Sequence, residues 1–195
     1  MIFYGVCTFF KDLSKLHRAI KLDKKEYLEK DPSIESKWQL IFHAGFLSLI
    51  LYRWSHLFYS HNLKFLAFLL HFFSRILFAI DINPAAKIEP GVVIDHGIGT
   101  VIGSTTTIGS GTLIYHGVTL GSRNIQKGKR HPDIGKNVLI GSGAKVLGPI
   151  RIGDNSQIGA NSVVLKNVPP NTKAIGIPAK IAEIINNENP KIKSI

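Results

Sequence analysis

Between residues 82 and 164 an aliphatic side chain returns every six residues, in three phased blocks. These are Ile82, Ile88 and Ile94; Ile102, Ile108, Ile114 and Leu120; and Ile134, Ile140, Val146, Ile152, Ile158 and Val164. Glycine follows many of them, as in Ile102-Gly103 and Ile140-Gly141. Two positions before them stand small or β-branched residues such as Ala86, Thr106, Val118, Ala144 and Ser156. A helix repeats its apolar face every 3.6 residues and an ordinary strand every two, so neither gives this pattern. A parallel β-helix does. Each six-residue unit forms a short flat strand and a turn, and the aliphatic residue points inward to stack on its counterpart one coil away. Three units to a coil predict about four coils over residues 82–168. The ends of such a prism are open strand edges that other segments must cover. Its flat outer faces suit self-association into a closed ring.

Residues 1–80 follow a different rule. They hold 17 of the 18 aromatic residues but only 2 of the 18 glycines, and Pro32 is their one proline. Few breakers and many helix formers predict an α-helical N-terminal region, with helices over 8–30, 37–60 and 62–79. Ser33 is the expected cap of the second helix, with Pro32 restricting its entry. The uncharged runs there, Trp38 to Tyr52 and Phe65 to Ser74, are 15 and 10 residues long. A membrane span needs about 18 or more. Buried interface or core helices are therefore expected and no integral membrane span, although Phe-rich helices flanked by Lys and Arg can lie on a membrane surface. The start, Met1-Ile2-Phe3-Tyr4, lacks the basic region and cleavage site of a secretory leader. The domain plan is thus 1–80 helical, 81–185 β-helix and 186–195 a tail.

The formal net charge of +11 favours an anionic partner. A single cysteine, Cys7, permits no intrachain disulfide and suits a reducing cytoplasm. The repeat breaks twice, and departures from a regular scaffold are where function tends to be placed. Ile94 to Ile102 holds two extra residues around Asp95-His96-Gly97. Leu120 to Ile134 holds eight extra, forming an inserted loop over 121–133. Asp81 lies a little under one coil before His96, near enough for the two to approach. An imidazole held by a carboxylate can take the proton of a hydroxyl, whereas the plainer role for Asp95 and His96 is to cap a turn. The loop carries four cations and one anion. It is either a solvated basic loop or an arm closing over a carboxylate or phosphate, with Arg130 as a two-pronged anchor. His96, His116 and His131 lack the close pair that metal sites use, so no metal is expected. The loop also lacks aromatics for stacking, so nucleic acid is not expected.

Several of these motifs occur together in one known family. They are Asp81-Ile82-Asn83-Pro84-Ala85-Ala86-Lys87-Ile88, Ile94-Asp95-His96-Gly97, Gly117-Val118-Thr119-Leu120-Gly121, and Lys129-Arg130-His131-Pro132. They continue with Gly141-Ser142-Gly143-Ala144-Lys145-Val146-Leu147-Gly148, Val168-Pro169-Pro170 and Gly176-Ile177-Pro178-Ala179-Lys180. In order and spacing they resemble the serine O-acetyltransferase family of hexapeptide-repeat acyltransferases. The resemblance implies a mainly β fold, a left-handed parallel β-helix preceded by helices and assembled as a homotrimer or a dimer of trimers. It implies acetyl transfer from acetyl-CoA to the hydroxyl of L-serine, the step that commits serine to cysteine synthesis. It assigns His96 as general base and Asp81 as its orienting partner, with His131 lining the same site. Asp95 and Asp31 would bind the serine ammonium and Arg130 its carboxylate. Gly143, Ala144 and Lys180 would contact CoA. The C-terminal Lys191-Ile192-Lys193-Ser194-Ile195 would dock into the next enzyme of the pathway. The chain departs from the family pattern at Gly121-Ser122-Arg123-Asn124, at Gly103-Ser104-Thr105-Thr106 and at Asn83. These departures leave an alternative, an O-acetyltransferase acting on a sugar or polysaccharide precursor.

Overall fold

The structure, a computed structural model, describes residues 2–184; the expected docking tail lies outside them. The first helix, α1 (Ile2–Lys30), starts earlier than its pattern suggested. It turns Leu16, Ala19, Asp23 and Tyr27 inward, a spacing of three and four residues that keeps one face buried. The expected single helix over 37–60 is divided. A 3-10 turn occupies Lys37–Phe42, His43 is extended, and α2 spans Ala44–Ser60. The break is tertiary in origin. The start of α2 lies so close to the β-helix that a Cβ on Gly45 would sit 1.9 Å from the Ile94 carbonyl oxygen. Ser33 is not a cap, because its N–H and hydroxyl both bond to Asp31 Oδ1. The bond at the entry of the 3-10 turn is instead Ser36 N–H to Gln39 Oε1, at 2.7 Å.

A third helix, α3 (Lys64–Phe78), leads into the β-helix. Expected as a core or interface helix, it buries only Ala67 and Ser74 within the chain and leaves Phe65, Phe72 and Ile76 exposed. No helix among the described residues is long and apolar enough to cross a membrane.

The first coil consists of β1 (Asp81–Ile82), β2 (Lys87–Ile88) and β3 (Val93–Ile94). The second holds β4 (Val101–Ile102), β5 (Thr107–Ile108) and β6 (Leu113–Ile114). The third holds β7 (Thr119–Gly121), β8 (Asp133–Ile134) and β9 (Leu139–Ile140). The fourth holds β10 (Lys145–Leu147), β11 (Arg151–Ile152) and β12 (Gln157–Ile158). A partial fifth coil follows with β13 (Val163–Val164) and β14 (Thr172–Gly176). Like-placed strands pair in parallel and build the three faces β1-β4-β7-β10-β13, β2-β5-β8-β11 and β3-β6-β9-β12-β14. The registers stack Ile82 on Ile102, Leu120, Val146 and Val164, and Ile94 on Ile114, Ile140, Ile158 and Ala174. All of these are buried. Each fully buried aliphatic side chain contributes roughly 1.5–3 kcal/mol.

Both ends of the prism are covered. Tyr27 OH donates to the Ile94 carbonyl at 3.1 Å and accepts the Ile94 N–H at 2.9 Å, pinning α1 to β3. Tyr52 OH binds Ala86 O and Ile88 N in the same manner on the neighbouring side. Arg53 forms a buried, two-pronged pair with Asp23 at 2.9 and 3.0 Å and donates to the carbonyls of Ile88 and Glu89. Losing one partner of such a buried pair costs roughly 3–5 kcal/mol. At the far end β15 (Ala179–Glu183) pairs with β14 antiparallel, a hairpin that the six-residue period does not encode.

Candidate active site

The two breaks in the repeat fall at different corners of the prism. Asp95 and His96 lie in the turn from β3 to β4, the corner shared by His116 one coil on and by Gly143 and Ala144 two coils on. Hydrogen bonds from Gly117 N to Ile98 O and from Gly143 N to His116 O, both 2.9 Å, stack these turns. Arg130 and His131 end the inserted arm and meet the turn from β4 to β5.

At the first corner His96 has a positive φ of 57°. This left-handed turn projects its imidazole into solvent, where the side chain is 74% exposed. Its Nε2 lies 3.8 Å from Asp95 Oδ1, and its ring meets that of His116 edge-on with centroids 6.0 Å apart. Asp95 is also approached by His43, whose Nε2 stands 3.4 Å from Asp31 Oδ2 and 3.9 Å from Asp95 Oδ1. Asp31, His43, Asp95 and His96 thus form a row of alternating carboxylates and imidazoles. Burial raises the Asp31 pKa, but bonds from Ser33 and the nearby His43 outweigh it and hold the carboxyl below its ordinary 3.8.

The first three of these residues bring one potential metal-ligand atom each within 4.8 Å of one another. The tautomer of His43 opposes a metal there. Phe46 N–H donates to His43 Nδ1 at 3.3 Å. A backbone N–H can only donate, so Nδ1 accepts and Nε2 carries the proton, leaving no lone pair toward the carboxylates.

Asp81 does not join this row. His71 Nε2 lies 2.7 Å from its Oδ1 and Arg75 Nε 3.5 Å from its Oδ2, and it forms no ion pair with His96. The expected Asp81–His96 pairing is therefore absent from the single chain. Chain spacing brought the two within a coil, but Asp81 starts a strand facing α3 whereas His96 points outward at a corner. The bond from His71 is the main reason the Asp81 pKa is lowered.

At the second corner Thr105 fastens the arm. Its Oγ1 accepts the backbone N–H groups of Arg130 and His131, both at 3.1 Å, and lies 2.9 Å from His131 Nδ1. Thr105 N–H also donates to that Nδ1, at 3.2 Å, so the ring proton of His131 sits on Nε2. The imidazole lies flat on Gly103, where a Cβ would be 2.1 Å from His131 Cδ2. Burial first, then Arg130 and Lys129, lowers the His131 pKa and keeps the ring neutral. The Arg130 guanidinium has only two long contacts, to Gln126 O at 3.3 Å and Ser104 Oγ at 3.4 Å. Among the described residues it pairs with no carboxylate, which leaves its fork for an external anion.

Of the other expected site residues, Gly143 has a positive φ of 71° and Ala144 is fully buried, so only its backbone faces outward. Lys180 is exposed on β15. That strand lies five steps from β3 in its sheet, and strands are spaced about 4.8 Å apart, which places it about 24 Å along the prism from His96's coil. His96, His116 and His131 are not gathered at one point, since His131 is held at the second corner.

Comparison with known proteins places this geometry. Residues 131–166 match the family model described as bacterial transferase hexapeptide (six repeats). A serine acetyltransferase of Helicobacter pylori is 47% identical over 154 residues, 78% of this chain and 90% of that protein. The chain belongs to the serine acetyltransferase family. The serine acetyltransferase of Neisseria gonorrhoeae, solved in complex with serine, superposes with a TM-score of 0.84 at 37% identity, covering 91% of this chain and 73% of that one. That of Brucella abortus, solved with coenzyme A, gives 0.85 at 35% identity, covering 92% and 72%. The fold is accordingly the family's left-handed parallel β-helix with helices before it. His43, His71 and Tyr27 escaped the sequence reading, and Gly103 and Thr105 entered it only as part of a departure from the family pattern, without a role. Each acts through a partner more than nine residues away, and no local motif marks such a pairing.

Proposed function

We propose that the chain transfers the acetyl group of acetyl-CoA to the hydroxyl of L-serine, giving O-acetyl-L-serine and CoA, with His96 as general base. The observation that carries this reading is the separation of charge between the two corners. Carboxylates accompany His96, and a guanidinium that pairs with no carboxylate among the described residues accompanies the arm. A zwitterionic amino acid needs both, whereas a neutral sugar acceptor needs neither. Asp31 and Asp95 take the ammonium, and Arg130 takes the carboxylate with bidentate geometry. His96 accepts the serine hydroxyl proton as the oxygen attacks the thioester carbonyl, and the proton then goes to the departing CoA sulfur. His131, neutral with its proton on Nε2, serves as a hydrogen-bond donor. Asp81, held by His71, acts in positioning rather than in proton transfer. Acetyl-CoA lies along the first corner past the backbone of Gly143 and Ala144, with its phosphates toward Lys180.

No hydrogen bond or ion pair joins the two corners among the described residues. A closed homotrimer in which the arm of one subunit approaches the first corner of its neighbour completes the site. The exposed apolar face of α3 suits such an assembly. A reducing cytoplasm, where acetyl-CoA is available, suits the single cysteine.

The test is thiol release from acetyl-CoA with L-serine, homoserine, threonine and simple sugars as acceptors. L-serine is expected to be the best, and His96→Ala should lower kcat about a hundredfold or more with acetyl-CoA binding kept. A sugar preferred over serine, or full turnover by the variant, overturns the reading.

A further inference from the structure

His43 stands beside Asp31 and Asp95, the carboxylates read above as holding the substrate's amino group, and its two ring nitrogens have separate tasks. Nδ1 accepts the Phe46 N–H at 3.3 Å and so caps α2. Nε2, which therefore bears the proton, faces Asp31 at 3.4 Å and Asp95 at 3.9 Å. The ring of Tyr27 packs edge-on against the imidazole, centroids 5.1 Å apart, and is itself locked to both polar atoms of the Ile94 backbone. The imidazole plane is thus fixed from three sides: the cap, the carboxylates and the tyrosine.

We propose that His43 is a positioning residue of the amino-group subsite, its Nε2–H tethering the Asp31 carboxylate beside that of Asp95 so that both face an incoming ammonium. This rests on the reading that these two carboxylates bind the serine amino group. Their ligand oxygens lie within 4.8 Å of each other. Two like charges so close repel, and with no donor beside them the carboxylates would swing apart and lose their shared aim at a cation. An imidazole whose Nδ1 accepts the Phe46 N–H supplies that donor from Nε2 without adding positive charge that would compete with the incoming ammonium. The Asp31 carboxyl is held below 3.8 against its burial by the two Ser33 bonds first and by His43 after them.

Two substitutions separate the two tasks. In His43→Asn the amide oxygen takes the place of Nδ1 and keeps the cap, but the side chain is too short to reach the carboxylates. In His43→Gln the amide nitrogen takes the place of Nε2 and keeps the bridge, while the cap is lost. L-serine binding is measured by calorimetry without acetyl-CoA, so that nothing turns over. Melting temperature and both KM values are measured alongside.

His43→Asn is expected to melt like wild type but to bind serine about tenfold more weakly, as loss of a hydrogen bond to a charged group implies. His43→Gln is expected to melt lower yet to stay within about threefold of wild type for serine. The acetyl-CoA KM should hold in both. Serine affinity in His43→Asn equal to or above that of wild type, or equal losses in the two variants, overturns the inference alone. A wild type that binds acetyl-CoA but no serine overturns the acceptor reading, and this inference with it.

Discussion

Replacing Thr105 by valine keeps the shape of the side chain and removes one oxygen, on which the inserted arm depends. That oxygen accepts two backbone N–H groups, those of Arg130 and His131 at 3.1 Å, and its hydroxyl lies 2.9 Å from His131 Nδ1. A net hydrogen bond contributes about 1 kcal/mol, and a buried group left unpaired costs about 1–3. The three losses fall on half-buried groups, so the expected cost is about 2–4 kcal/mol. For a chain of this size the melting temperature should fall by about 5–15 °C. The arm does not come free entirely, because Lys129 Nζ still reaches the Thr105 carbonyl and Asp133, each at 2.6 Å. Arg130 and His131 lose their fixed positions, so the serine KM should rise about tenfold while the acetyl-CoA KM stays within about twofold. Thr105→Ser, which keeps the hydroxyl, should stay near wild type in both respects. Thermal melts and steady-state kinetics on the three proteins decide the matter. If Thr105→Val melts like wild type, the hydroxyl does not fasten the arm. If it melts lower with an unchanged serine KM, the position of Arg130 does not govern acceptor binding.

Thr106 Oγ1 is buried with no hydrogen-bond partner among the described residues, so Thr106→Val should raise stability by about 1 kcal/mol, seen as a melting temperature higher by about 2–4 °C. Arg130→Lys keeps the charge but loses the fork, and should raise the serine KM about tenfold with little change for acetyl-CoA. Acid should destabilise the fold in two stages, read by urea titrations across pH. The His131 pKa lies below 6.5 in the folded chain, so the unfolded chain binds that proton first; its contribution is complete above 6.5 and is lost as pH falls through the folded value. Asp31, Asp81 and Asp133 are held below 3.8, so their contributions persist above that value and disappear as pH falls further. Stability that rises on acidification from neutral would contradict these assignments.

The β-helix was legible because its core is periodic. Each aliphatic at six-residue spacing meets its counterpart one coil away, so position along the chain translates directly into position in space. The breaks were legible for the same reason, and they exposed Asp95, His96 and Arg130. What the sequence withheld is what the period does not govern. His43 sat inside an apolar stretch that reads as helix, and only the approach of Gly45 to Ile94 shows why the helix restarts beside it. Spacing suggested that Asp81 serves His96, but spacing does not specify direction, and the strand turns Asp81 toward His71 on α3. Thr105 stands one residue before Thr106, and a string of similar small polar residues cannot say which hydroxyl points out to the arm and which is enclosed. The β14–β15 hairpin closes the prism where the repeat has ended, so no repeat-based argument reaches it.

In the proposed trimer the carboxylates and base at one corner work with a guanidinium supplied by another subunit. Subunits carrying His96→Ala and subunits carrying Arg130→Ala, each expected to be strongly impaired alone at a serine concentration below the wild-type KM, are denatured, mixed in equal amounts and refolded together. If each site takes His96 from one subunit and Arg130 from its neighbour, about one third of the sites in the mixed rings, and about one quarter of all sites in the sample, are intact. Serine acetylation should then return to about a quarter of the wild-type rate, and it should not return when the two proteins are refolded separately and then combined. Mixed rings that stay as inactive as their parents would show that one chain supplies both residues, and would contradict the shared site.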